Sequence, residues 1–254
     1  MKSYKYIIVG GGMAGDKAVQ GIREVDHDGS IALIGAESFP PYIRPPLTKG
    51  LWFGKKKLED IWRETAKHNV DLVLGTRVVS LDPRTKVITD DKGEQYEYGK
   101  LLLATGGSPR TLPFGEGLIR YYRTLDDYQA VREQADKGGT FAVIGGGFIG
   151  SELAAALTMH KQKVTIIFPD AGVCSNIFPP KMVQFLNAYF KEKGIDVWSG
   201  EEVNDVRAAG SQAEVHTKSG KKLVVDHVLA GIGIKPNVDL AQQAGLTAEN
   251  GIEV

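Results

Sequence analysis

Tyr6-Ile7-Ile8-Val9-Gly10-Gly11-Gly12-Met13-Ala14-Gly15 opens the chain, and Phe141-Ala142-Val143-Ile144-Gly145-Gly146-Gly147-Phe148-Ile149-Gly150 repeats its pattern further on. In each, a β-branched apolar run without polar alternation predicts a strand buried on both faces. A G-x-G-x-x-G turn follows and opens into a helix. The first glycine permits the tight turn, the second lets a pyrophosphate approach the backbone, and the third lets helix and strand pack closely. The N–H groups of the first helical turn and the positive end of the helix dipole would face the phosphates. A lone copy is equally an ordinary glycine-rich turn, so the surroundings have to decide.

They decide for a nucleotide site, because each copy is followed by a helix, a strand and an acid. After the helix at 16–24, the strand Ser30-Ile31-Ala32-Leu33-Ile34-Gly35 delivers Glu37. After the helix at 151–160, the strand Lys163-Val164-Thr165-Ile166-Ile167-Phe168 delivers Asp170. An acid about 20 residues past the turn accepts hydrogen bonds from an adenosine ribose. Two complete units predict two dinucleotides held face to face, with electrons moving between them. A free 2′-hydroxyl favours an acid and a 2′-phosphate favours cations. Asp170 is present and residues 171–176 contain neither Lys nor Arg, which predicts NADH over NADPH.

The 254 residues predict one or two domains. Hydrophobic content of 42% and charged content of 24% are ordinary for a globular protein. Lys+Arg and Asp+Glu balance at 31 each, so no global charge invites nucleic acid or a membrane surface. Lys55-Lys56-Lys57 is too short to change that. No apolar stretch has transmembrane length, and a first strand reached by Tyr4 leaves no room for a leader, so a cytoplasmic location is expected. A single cysteine, Cys174, excludes both an internal disulfide and a dithiol electron relay. The five histidines have no close metal-ligand spacing, and no metal site is expected.

Between the motifs, Pro40-Pro41-Tyr42-Ile43-Arg44-Pro45-Pro46-Leu47-Thr48-Lys49 is stiffened by its prolines and reads as non-helical. Its Arg44 and Lys49 suit an anion clamp, with a surface loop of incidental charge as the alternative. Strands are expected at 71–81 and 86–89, a turn at 90–93, and a buried strand at 100–103 running into Ala104-Thr105-Gly106-Gly107-Ser108-Pro109-Arg110. Small residues there allow a close backbone approach to a ligand. The stretch around 115–117 reads as a domain crossover. Further strands are expected at 195–206, 214–216 and 223–229, then a short helix at 239–244.

These pieces together resemble the two-dinucleotide-binding-domain flavoprotein reductases of the pyridine nucleotide-disulfide oxidoreductase superfamily. Within them the sequence looks most like the ferredoxin/rubredoxin reductase and apoptosis-inducing-factor branch. The carriers are the two glycine turns, Arg44-Pro45-Pro46-Leu47-Thr48-Lys49, Ala104 to Arg110, Ser151-Glu152, and Gly233-Ile234-Lys235-Pro236-Asn237, with Leu51-Trp52-Phe53 and Phe168-Pro169-Asp170 closest to the apoptosis-inducing-factor group. The resemblance implies an α/β fold of two Rossmann-like dinucleotide-binding domains with three-layer β-β-α/α-β character. The FAD-binding domain would begin at 1–114, the NAD(H)-binding domain would span 115–239, and 240–254 would start the return to the FAD domain. Family members continue with the rest of that domain and a C-terminal interface domain. The FAD domain is therefore expected to be incomplete, and the protein to be truncated at its C-terminus.

By the same resemblance, Gly10, Gly12, Met13, Ala14 and Gly15 hold the pyrophosphate of non-covalent FAD, and Glu37 its adenosine end. Arg44, Val78, Ala104, Thr105, Gly106 and Arg123 match further FAD contacts. Gly145, Gly146, Gly147, Phe148, Ile149, Gly150, Asp170 and Gly233 match the NAD(H) site. Lys49 matches the lysine beside the reactive edge of the flavin, and Glu152 its carboxylate partner near the nicotinamide. The residues alone leave both open as surface charges, with Glu152 suited to a first-turn helix acid. The implied activity is that of an FAD-dependent NAD(P)H oxidoreductase, with hydride passing from NADH to flavin N5. Electrons then go to a ferredoxin- or rubredoxin-like protein, a quinone or oxygen, and the resemblance admits a homodimer. The alternative is an NADH-sensing interaction module with slow incidental turnover.

Overall fold

The computed structural model describes residues Met1–Val254. It divides into two compact units, one made of Met1–Ile43, Leu58–Ser108 and Lys235–Val254, the other of Arg44–Lys57 and Pro109–Ile234. The segment 44–57, expected with the first domain, clusters with the second. Its side-chain anchors explain why, as described below.

The first unit runs β1 (Lys2–Val9), α1 (Met13–Val25), β2 (Ile31–Ile34), β3 (Asp71–Val73), β4 (Val78–Asp82), β5 (Val87–Asp90) and β6 (Gln95–Leu103). One six-stranded sheet results, in the order β3-β2-β1-β6-β5-β4. Strands β3, β2, β1 and β6 are parallel, and β5 and β4 are antiparallel. Alternation along β1 sends its residues to opposite faces. Ile7 and Val9 join Ala32, Ile34, Val78, Ile88 and Tyr96, while Ile8 joins Val19 of α1, Ile31 and Leu33. Both faces are buried, as the unbroken apolar run required.

After β7 (Gly107–Pro109), the second unit runs β8 (Ile119–Tyr121), α2 (Leu125–Lys137), β9 (Thr140–Ile144), α3 (Phe148–Met159), β10 (Lys163–Phe168), α4 (Pro180–Glu192) and β11 (Asp196–Ser199). It continues through β12 (Val203–Ala209), β13 (Gln212–Thr217), β14 (Lys222–Val225) and β15 (His227–Ala230). Five parallel strands lie in the order β11-β10-β9-β15-β8, and β12-β13-β14 form an antiparallel sheet. Ala142, Ile144, Ile167 and Val228 of the parallel sheet share a core with Val206, Val215 and Val225 of the antiparallel one. Helix α3 packs against β9 and β10. The layers are therefore sheet, sheet and helix. The polypeptide then passes β16 (Ile234–Pro236) and ends with α5 (Asp239–Gln243), whose Leu240 enters the first unit's core beside Ile7 and Val9.

The architecture is the expected α/β one with Rossmann-like units, but several elements differ from the sequence reading. The strand expected at 71–81 breaks at 74–77, where Gly75 takes a left-handed φ of 58°. That expected at 195–206 breaks at Gly200, with φ 74°. Helices α2 and α4 were not anticipated. Yet α2 carries a legible start, a capping box in which Thr124 and Asp127 exchange side-chain-to-backbone hydrogen bonds. Helix α4 opens with Pro180 at its first position. No helix is long and apolar enough to cross a membrane.

The strand expected at 223–229 splits at Asp226, and that residue joins the two sheets of the second unit. Its carboxylate accepts from the Thr140 hydroxyl at 2.7 Å, the Thr140 backbone N–H at 2.8 Å and the Gln212 amide at 2.9 Å. The Thr140 hydroxyl and then the Gln212 amide hold the carboxyl down, from 3.8 to about 2. A carboxyl with a depressed folded-state pKa stabilises the fold above its unfolded value and loses that contribution as pH falls through the folded one. Asp226→Ala should therefore lower Tm at pH 7, and the gap between variant and wild type should narrow as melts are run from pH 4 down towards pH 2. A pH-independent gap would contradict the assignment.

Candidate dinucleotide sites

Both glycine turns show the same division of labour. Gly10 and Gly145 sit at φ 131° and 111°, and a Cβ on either would lie 2.0 Å from the Ala104 carbonyl oxygen or 2.5 Å from that of Gly231. On Gly15 or Gly150 a Cβ would reach 2.1 or 1.9 Å from the carbonyl oxygen of the first glycine of its own turn. The middle glycines, Gly12 and Gly147, are the reverse case: nothing lies within 4 Å of an added Cβ. The turns are thus closed against the protein at their first and third glycines and open outward at the second.

Gly12 and Gly147 are also the N-caps of α1 and α3, and neither helix has a side-chain cap. Helix α2 shows what a satisfied start looks like. The uncapped donors of α1 and α3, together with the dipole, leave two anion-binding ends. Met13 and Ala14 are exposed in the first turn of α1, as are Phe148 (55%) and Ile149 (38%) in that of α3. A large apolar side chain exposed at a helix start offers a ligand-facing surface.

Each turn has its acid at the end of the next strand. Glu37 follows β2 and accepts a 2.6 Å hydrogen bond from the hydroxyl of Tyr42. Asp170 follows β10 and is exposed, with its backbone carbonyl engaged by the Gly200 N–H. In the first unit, Asn237 pins the loop after β6. It donates to the Thr105 carbonyl at 2.9 Å, its own carbonyl accepts from the Thr105 hydroxyl at 2.6 Å, and its backbone N–H donates to the Gly106 carbonyl at 2.9 Å.

In the second unit, Lys49 and Glu152 form an ion pair at 2.6 Å. The buried Thr48 hydroxyl donates to the same carboxylate oxygen. Lys49 is half exposed, and exposed pairs of this kind are worth at most about 1 kcal/mol. The pair is therefore positioned by its surroundings and does little to create them. The positioning comes from Trp52. Its indole N–H donates to the Leu47 carbonyl at 2.7 Å, and its ring meets Tyr128 and His160 edge-on at 5.7 and 5.9 Å. The Arg132 guanidinium lies 5.5 Å from its centre. These partners belong to α2 and the end of α3, which is why 44–57 clusters with the second unit.

The pyridine nucleotide-disulphide oxidoreductase family matches residues 4–254. The protein belongs to that family. Putidaredoxin reductase of Pseudomonas putida is 36% identical over 262 residues, which cover 98% of this sequence and 62% of that protein. The mitochondrial apoptosis-inducing factor 1 of Dictyostelium discoideum is 33% identical over 274 residues, covering 97% and 52%. The crystal structure of the covalent putidaredoxin reductase–putidaredoxin complex aligns with a TM-score of 0.91 at 33% identity, covering 99% of this protein and 63% of that one. The sequence thus spans between half and two thirds of the length of the curated relatives it matches.

This family member places its expected site residues unevenly. Gly10, Gly12, Met13, Ala14, Gly15, Glu37, Ala104, Thr105 and Gly106 fall in the first unit around the turn and the ends of β2 and β6. The side chain of Val78 is buried in that unit's core, so only its backbone could serve a ligand. In the second unit lie Gly145 to Gly150, Asp170, Gly233, Arg44, Lys49, Arg123 and Glu152. Arg44 precedes a 3₁₀ turn, Pro45–Thr48, where a non-helical segment was expected, and its guanidinium donates to the Arg123 carbonyl at 3.2 Å. Glu152 lies beyond the first turn of α3, which contains no acid, so helix-dipole complementation does not account for it.

Some residues had no sequence signal. Asp16 is fully buried and accepts from Arg63 at 2.7–2.8 Å and from the Thr65 hydroxyl at 2.7 Å. Cys174 is buried with a left-handed φ of 55°, and its N–H donates to the Gly146 carbonyl at 2.7 Å. It supports the second turn. No group of three or more His, Cys, Asp or Glu is placed to hold a metal.

The glycines make a paired prediction. Gly150→Ala should destabilise the fold by more than ~2 kcal/mol, because backbone has to move. Gly147→Val should leave Tm and circular dichroism unchanged while weakening dinucleotide binding in titrations. Equal effects on stability would refute the division of labour.

Proposed function

We propose that this protein holds the two nucleotide sites of an FAD-dependent NADH oxidoreductase that works without a redox disulfide. The observation that carries the reading is one open, uncapped glycine turn in each unit, each with a carboxylate at the end of the following strand. These features fit a dinucleotide: Gly12 and Gly147 leave room for a pyrophosphate where any larger residue would intrude. FAD is assigned to the turn Gly10–Gly15 with Glu37, and NADH to Gly145–Gly150 with Asp170. When bound, the flavin supplies two-electron chemistry, taking hydride from NADH and releasing electrons to an acceptor.

The protein's own residues bind, orient and place charge. Lys49 presents a fixed ammonium, and Glu152 and Thr48 hold it in one direction. A preorganised cation at the reactive edge stabilises negative charge as it develops there without reorganising at the moment of reaction. Asp170 accepts from a ribose 2′-hydroxyl and repels a 2′-phosphate. The favoured acceptor is a ferredoxin- or rubredoxin-like protein, since relatives bear the names of reductases for such partners.

Three measurements test the reading. Purified protein should be yellow, bleach on anaerobic NADH addition and reoxidise quickly with an acceptor. A colourless protein that takes up no FAD would sink the proposal, and slow reoxidation with a lasting long-wavelength band would favour the sensing module instead. Asp170→Ala should erase the preference for NADH over NADPH, and an unchanged preference would refute the role of Asp170. Lys49→Met should slow bleaching by about a hundredfold. Its Tm should barely move, since the pair is half exposed.

A further inference from the structure

The two ribose acids are held very differently. Asp170 stands exposed beyond β10, with no side-chain partner. Glu37 instead accepts from Tyr42, a residue only 2% exposed. Tyr42 is itself fixed by backbone and ring contacts. It forms an antiparallel bridge with Trp62, flanked by the Ile43 N–H to the Ile61 carbonyl at 2.8 Å and the Arg63 N–H to the Pro41 carbonyl at 2.9 Å. The Trp62 ring meets Tyr42 edge-on and stacks on Phe39, each at 6.3 Å.

This brace reaches the glycine turn. Arg63, next to Trp62, sends two guanidinium nitrogens to the buried carboxylate of Asp16, which immediately follows Gly15. One continuous set of contacts therefore runs from the start of α1 through Asp16, Arg63 and Tyr42 to Glu37. It fixes the spacing between the end that would take a pyrophosphate and the carboxylate that would take a ribose. The second unit is braced differently: Ser151, at the position of Asp16, bonds back to the Phe148 carbonyl at 3.0 Å and meets the Cys174 thiol at 3.8 Å, and neither contact leads on to the exposed carboxylate of Asp170.

We propose that Tyr42 is a positioning residue that locks Glu37 for the adenosine ribose of the dinucleotide at the first turn. A carboxylate already held in its bound rotamer loses less freedom on binding, and the saving appears as affinity. The idea rests on the FAD assignment above. Its physical basis, however, is the contrast in bracing between the two units.

The test is FAD binding by the apoprotein, followed by flavin fluorescence, for wild type, Tyr42→Phe, Glu37→Ala and the double variant. Tyr42→Phe keeps the buried ring, and circular dichroism checks each fold. A parallel titration uses the FAD analogue lacking the adenosine 2′-hydroxyl. Tyr42→Phe should raise the FAD Kd about tenfold and shrink the preference for FAD over the deoxy analogue. The double variant should bind no worse than Glu37→Ala, because Tyr42 acts through Glu37. Additive losses, an unchanged deoxy preference or wild-type affinity in Tyr42→Phe would overturn the role of Tyr42. Failure of the wild type to bind FAD would overturn the FAD assignment itself, a distinct result.

Discussion

Everything in this protein follows from a backbone approach that only glycine permits. In each unit the third glycine of the turn lies so close to the carbonyl oxygen of the first that a Cβ would sit near 2 Å from it. That contact seats the helix start directly above the strand end. It also aims uncapped N–H groups into the space before the middle glycine. Helix placement, anion affinity and the position of the following acid are consequences of one steric constraint met twice.

The second dependence is the attachment of 44–57. This short stretch carries Lys49, and an exposed ion pair is too weak to hold it in place. Trp52 does so, wedged among Tyr128, Arg132 and His160. Sequence order suggested that this segment belongs with the first domain, because it follows the first nucleotide unit. Side-chain packing overrides that proximity, and Lys49 is consequently held against Glu152, on the helix that starts at the second glycine turn.

The glycine turns, the strands feeding them and the acids Glu37 and Asp170 were legible because each depends on local geometry that a residue type enforces. Strand breaks at Gly75 and Gly200 were harder, since each glycine lies between two strand-like stretches and marks a break only once its left-handed φ is known. The braces of the sites were not legible. Asp16 with Arg63, Tyr42 with Glu37, and Trp52 with Arg132 form contacts that no spacing rule links. Helices α2 and α4 carry start signals of their own, Thr124 with Asp127 and Pro180, but such signals also occur in turns and do not by themselves specify a helix.

The two glycine turns have the same form but differ in what holds the acid beside each: Glu37 accepts from the buried Tyr42, whereas Asp170 stands exposed. The central claim, that one polypeptide holds two dinucleotides at two separate turns, is tested most directly by native mass spectrometry of the protein with FAD and NAD⁺ together. The account predicts a species carrying one of each per polypeptide, with the NAD⁺ adduct selectively lost in Gly147→Val. A single dinucleotide per polypeptide, or competition between FAD and NAD⁺ for one site, would contradict it.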